Sequence, residues 1–209
     1  ETAGTLRKGK RMWALAKTGK FGEVCKDDGI GGYLLLSTSC DRTLATTARF
    51  TTIRVICQNT LAVALKEKEN MVSFSHLAAF DHEAVKARLG KAVDSFGSFM
   101  EMAKFLQSQK MGSKQCDDFL RKLIAGRTQI KREDYDLSKN RSYQAIMNLF
   151  ESDSKGNELV GHSKWGMLNA VTEYVDHHSP NRNQDARLDK AWFGTGDTMK
   201  KQAQEILLA

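Results

Sequence analysis

Apolar and polar positions along the chain change period near residue 57. Before it the pattern is that of strands. Tyr33–Ser39 (YLLLSTS) is a short apolar run bounded by Gly31-Gly32 and Asp41, and Ala45–Ile56 (ATTARFTTIRVI) is rich in β-branched residues. In the longer run Thr47, Arg49, Thr51, Ile53 and Val55 share one face, and Ala48, Phe50, Thr52, Arg54 and Ile56 the other. Arg11–Lys17 (RMWALAK) predicts a further strand. Gly22–Gly32, with four glycines and two aspartates, predicts a loop. Cys40–Thr43 is short enough for a hairpin. Together these predict a three-stranded antiparallel meander.

After the third strand the period becomes helical. Leu61, Ala62, Ala64 and Leu65 form a stripe that Gln58-Asn59 can cap, ending in the charged Lys66–Glu69. Met71–Ala79 has no clear period. Asp81 to about Met111 repeats at three and four through Val85, Leu89, Val93 and Phe96 to Leu106, with Gly90 and Gly97 as weak points. Further helices are predicted at Lys114–Ala125, Lys139–Ser152, Ser163–His177, Gln184–Trp192 and Thr198–Leu208, with loops at Gly126–Leu137 and Asp153–Gly161. Strands first and helices after predict an α+β fold. The expected organisation is one domain over residues 1–209, with a basic β-meander at 1–57 and a helical part at 58–209.

Composition narrows the class. With 209 residues, 41% hydrophobic and 27% charged, the chain has the make-up of a globular domain rather than a disordered one. No stretch approaches the roughly 18 apolar residues of a membrane span, so no membrane partner is expected. Cys25, Cys40, Cys57 and Cys116 are widely spaced, with no CxxC. That spacing predicts reduced thiols and a cytoplasmic protein rather than disulfides or a zinc site.

Charge changes the picture more. Of the 32 Lys and Arg, ten lie in residues 1–60 against five acids, a net of +5, while the other 149 residues hold only +2. Between Thr2 and Gly22 there are six bases and no acid. Such a segment attracts a polyanion, and nucleic acid is the commonest. The candidate nucleic-acid-binding residues are Lys8, Lys10, Arg11, Lys17, Lys20, Arg42, Arg49 and Arg54. Threonines at 43, 46, 47, 51 and 52 add hydroxyl donors for phosphate oxygens, and Trp13, Phe21, Tyr33 and Phe50 are aromatics that can stack on bases or enter the core. Of the two strand arginines, Arg49 sits on the more polar stretch and is expected to face phosphate, whereas Arg54 is expected to be paired inside the fold. No base-reading motif is present.

Two other features bear on chemistry. Asn169, Glu173, Asp176 and His177 form a polar stripe that is either solvated or hydrogen-bonded to a neighbouring loop, or in which Glu173 and His177, with His162 reaching in, bind a metal. No named ligand spacing is matched, so no metal and no cofactor are expected. Gly194–Lys200 (GTGDTMK) lacks the phosphate-loop spacing and reads as a helix end followed by an Asp197 or Thr198 cap. No nucleophile and base occur at a useful spacing, so no catalytic residue is assigned.

Five segments in order, Gly4–Ala16 (GTLRKGKRMWALA), Tyr33–Asp41 (YLLLSTSCD), Ile53–Ala62 (IRVICQNTLA), Trp165–His177 (WGMLNAVTEYVDH) and Ala191–Gly194 (AWFG), resemble the phage/plasmid-like family of domains of unknown function numbered 932. The resemblance implies a prophage, plasmid or conjugative element as the setting. It also implies that the chain is a fragment lacking an N-terminal portion that family members usually carry. The β-β-β-α order with a basic hairpin is similar, at the level of fold, to Rad52-like single-strand annealing proteins. That similarity implies a non-enzymatic, sequence-tolerant protein that binds and anneals single-stranded DNA as a homo-oligomeric ring or filament. The alternatives are a metal-dependent hydrolase built on the 169–177 helix and a regulator that binds a host protein.

Overall fold

The computed structural model describes residues 2–62, 71–74, 83, 86, 87, 90, 93–128, 136–152 and 157–209. It is α+β, with an antiparallel sheet followed by a helical region. The strands are β1 (Thr2–Leu6), β2 (Arg11–Glu23), β3 (Gly29–Ser39), β4 (Thr46–Arg54), β5 (Thr60–Ala62) and β6 (Met71–Phe74). They lie in the order β1-β2-β3-β4-β5, and β6 also pairs with β4. β5 and β6 therefore follow one another along one edge of β4, at Thr51–Ile53 and at Thr46–Arg49.

The predicted meander is the centre of this sheet, and the sheet is larger than predicted. The short polar run of β1 pairs with β2 across a turn in which Arg7, Lys8 and Gly9 all have positive φ (53°, 58° and 84°). The predicted loop Gly22–Gly32 is mostly strand. β2 runs to Glu23, with a register shift between Lys17 and Phe21, and β3 begins at Gly29. Gly32 belongs in a central strand because a Cβ there would lie 2.9 Å from Thr18 Oγ1 and 3.0 Å from the Phe50 ring. The predicted helix after residue 57 gives way at its start to β5, because Thr60 and Leu61 pair with Ile53 and Thr52 of β4. The remainder of that helix, residues 63–69, lies outside the described residues.

The helices are α1 (Phe96–Ser108), α2 (Ser113–Thr128), α3 (Arg141–Glu151), α4 (Asn157–Val160), α5 (Lys164–Glu173), α6 (Gln184–Phe193) and α7 (Thr195–Leu208). α5 continues into a π-helical turn at Tyr174–His178. α4 falls where a loop was expected. Every residue from Trp165 to Glu173 is buried, so α5 is the central helix, wrapped on all sides. Ser163 caps it, its Oγ accepting from the Gly166 N–H at 3.0 Å. α7 starts at Thr195, ahead of the predicted Asp197/Thr198 cap. Asp197 lies in its first turn and spends its carboxylate on the sheet instead.

Helices cover both faces of the sheet. On the first face Phe50 meets Phe96 of α1 edge-on, with ring centroids 6.3 Å apart, and Phe99 meets Trp165 of α5 at 6.2 Å. On the second face Trp13 meets Trp192 of α6 at 4.8 Å. Gly196 lets α6 and α7 pack tightly, since a Cβ there would come within 2.8 Å of Val175 and 2.9 Å of the Lys190 carbonyl. None of the described helices is long and apolar enough to cross a membrane.

Candidate nucleic-acid interface

The eight basic residues singled out from the sequence divide into two groups. Lys8, Lys10, Lys17, Lys20 and Arg42 are exposed. Arg11 and Arg54 are buried and Arg49 is half-buried, and each of these three is held by a carboxylate of the same chain.

Arg54 is 3% exposed and donates from Nε to Asp28, which is wholly buried, at 2.5 Å. The second Asp28 oxygen accepts from the Trp165 indole N–H at 2.9 Å, so one carboxylate ties β4 to α5. This is the internal pairing expected of Arg54. Arg49 was expected to face phosphate on a polar stretch of strand. It instead donates to Asp197 at 2.8 Å and to the Trp192 carbonyl at 2.7 Å. The reason is that α6 and α7 return over the second face, so polar threonines beside Arg49 do not make its face a solvent face. Arg11 pairs with Asp189 on that same face, where its guanidinium also lies 5.2 Å from the centre of the Phe193 ring. Arg7 reaches the same carboxylate at 2.8 Å from a half-exposed position.

The hairpins gather three of the exposed group. The β1–β2 turn carries Lys8 and Lys10. The β3–β4 turn carries Arg42, itself in the left-handed region (φ 61°). The Cys40 N–H donates to the Lys10 carbonyl at 2.8 Å, so the two turns lie side by side at one end of the sheet. Asp41 tempers the charge there. The Thr43 hydroxyl at 2.7 Å, and then the Thr43 N–H at 3.1 Å, hold its carboxyl below the usual carboxylate range. Lys17 is seven residues along β2 from Lys10, roughly 23 Å at about 3.3 Å per residue. Lys20 lies within the register shift.

Lys17 also borders a cleft of about 530 Å³ between the second face of the sheet and the 174–193 region. Trp13, Tyr33 and Trp192 wall it, and Thr60, Asp176, His177 and Arg187 add polar groups. Sequence reasoning did not find this site. Its walls come together across separations such as the 132 residues between Trp192 Nε1 and Thr60 Oγ1, which leave no local signal. Lys200 was missed for the same reason. It is 2% exposed and donates to the Thr60 carbonyl at 2.8 Å and to Asp176 at 2.8 Å.

The 169–177 stripe does not converge on one point. Asp176 also accepts from the Thr60 N–H at 2.7 Å, and the Asn169 carbonyl accepts from Asn59 at 3.4 Å. Asp176 is thus held by strand β5, and only the Asn59 contact comes from a loop. Glu173 contacts His178 at 3.2 Å, and His162 stacks beside Phe150. Among the described residues no three His, Cys, Asp or Glu side chains lie together as a metal site would require. The four thiols are free, and burial pushes those of Cys25, Cys57 and Cys116 up.

The family model for "Domain of unknown function (DUF932)" matches residues 1–192, and the chain belongs to that family. No curated protein and no solved structure matches the chain.

Proposed function

We propose that this member of the family is a non-enzymatic protein that binds single-stranded DNA with little regard to sequence and anneals complementary strands. The observation that carries the reading is the set of five exposed cations, Lys8, Lys10, Lys17, Lys20 and Arg42, standing apart from the three guanidiniums that internal carboxylates hold. Exposed cations without an internal carboxylate meet the first need of strand binding, which is phosphate neutralisation. The two adjacent turns offer a contact surface a few nucleotides long, within the range one such module covers. Exposed lysines leave base edges accessible, as annealing requires. A surface this short needs several copies to hold a long strand, so the reading includes a homo-oligomer. The setting is the cytoplasm of a cell carrying a phage or plasmid-like element, where free thiols such as the four here persist.

The test is fluorescence anisotropy of labelled oligodeoxythymidylate and of a duplex of equal length, followed by an annealing assay with complementary oligonucleotides. The reading expects preference for the single strand, faster annealing with protein present, and particles of several chains by light scattering. No binding to either form at low salt removes it.

A further inference from the structure

We propose that the cleft on the second face of the sheet is a binding site for one nucleotide unit, its base held against Trp13 and Tyr33 and its phosphate held by Lys17 and Arg187. The inference stands on the cleft, which shares only Lys17 with the exposed cations of the strand reading, so strand binding can fail while it holds.

The volume, about 530 Å³, lies in the range of small-ligand sites. The aromatic walls are fixed from behind. Trp13 packs edge-on against Trp192, whose indole N–H donates to Thr60 Oγ1 at 3.1 Å, and Lys200 donates to the same hydroxyl at 3.1 Å. A wall that cannot rearrange loses little entropy when a planar ring stacks on it. Tyr33 and Lys17 are direct cross-strand partners, so a ring and an ammonium project from one spot on one face. That is the pairing a base joined to a phosphate calls for.

The charge balance points the same way. Asp176 is the one acid among the described residues lining the cleft, and it is occupied by Lys200 and Thr60. Lys17 and Arg187 therefore give the cleft a positive field. Arg187 Nε and His177 Nε2 are buried with no hydrogen-bond partner among the described residues. Both residues line the cleft. Orphaned buried nitrogens cost free energy unless a ligand satisfies them. Asp176 and His177 both lie in the π-helical turn that ends α5, and both line the cleft. Gln58 and Gln184 also border it, and their amides can donate to and accept from a base edge.

One chemistry has two sources, a free mononucleotide or a nucleotide within a bound strand. The experiment is isothermal titration of the full chain with thymidine monophosphate, adenosine monophosphate, thymidine and inorganic phosphate, repeated for Lys17→Gln and Arg187→Gln with circular dichroism as a fold check. The expected result is one saturable site per chain for the nucleotides, at least tenfold weaker for thymidine or phosphate alone, and at least tenfold weaker in either folded variant. Competition by oligodeoxythymidylate assigns the site to a strand nucleotide, and lack of competition assigns it to a free nucleotide. No saturable nucleotide binding overturns the inference. So does nucleotide binding that both variants retain in full. Oligonucleotide binding that Arg187→Gln leaves intact, beside mononucleotide binding that it weakens, supports the cleft as a free-nucleotide site and spares the strand reading.

Discussion

The body of the sheet and its rim treat the same kind of side chain in opposite ways. Within the strands the guanidiniums of Arg11, Arg49 and Arg54 are enclosed and each answers a carboxylate from a distant part of the chain, Asp189, Asp197 and Asp28. On the turns and in the β2 register shift, Lys8, Lys10, Lys20 and Arg42 reach solvent. Helices cover both faces, so a charge within a covered stretch of strand must be paired to survive removal from water. A charge on a turn carries no such requirement. Positive charge in this protein is thus structural where helices cover the strands, and available to a partner at the rim and on the exposed stretch of β2 at Lys17 and Lys20.

The largest expected effect breaks the structural side. Asp28→Ala leaves the Arg54 guanidinium in the core without its carboxylate and strips the Trp165 N–H of its acceptor. A loss of about 3–5 kcal/mol is expected, measured by chemical denaturation. A loss below about 1 kcal/mol contradicts the enclosed pairing. Arg49→Ala is expected to cost less, about 2 kcal/mol, because Asp197 keeps Lys201 at 3.4 Å. A cost as large as that of Asp28→Ala shows that the second face is closed as tightly as the first.

The thiols offer a comparison without substitution. Cys40 is exposed on the rim beside Arg42, whereas Cys57 is buried near Arg54, with its thiol pushed up by burial. Thiolate is the reactive form, so a maleimide at pH 7 is expected to modify Cys40 well before Cys57 in the native protein. Peptide mapping reads the order, and equal rates contradict it. The smallest effect on stability belongs to the rim. Lys8→Gln, Lys10→Gln and Arg42→Gln are each expected to change stability by no more than about 0.5 kcal/mol. A larger drop in melting temperature places these side chains in the fold's own bonding.

Much of this division was legible in the sequence, and the rest was hidden for physical reasons. β3 declared itself through an apolar run bounded by glycines and β4 through its β-branched residues, and the helices through their period. β1 did not, because a short polar strand such as Thr2–Leu6 is supported by its partner rather than by its own pattern. β5 was read as helix because Leu61 fits both periods, and pairing with Thr52 decided between them. Arg54 was read as internal from the apolar end of its strand. Arg49 was misjudged because what covers it lies 148 residues away at Asp197. The cleft was illegible for the same reason. Turn cations such as Lys8 and Arg42 were legible because a charge on a turn needs no distant partner.

The most direct test of the central claim is the salt dependence of binding to oligodeoxythymidylate, compared between the native protein and a variant with Lys8, Lys10, Lys17, Lys20 and Arg42 all changed to Gln. The account predicts that log affinity of the native protein falls linearly with log salt. It predicts that the slope becomes shallower by about 0.7 for each phosphate contact removed, while the melting temperature holds. A native affinity that is flat in salt, or a slope that the five changes leave as it was, contradicts the claim that the exposed cations are the strand-binding surface.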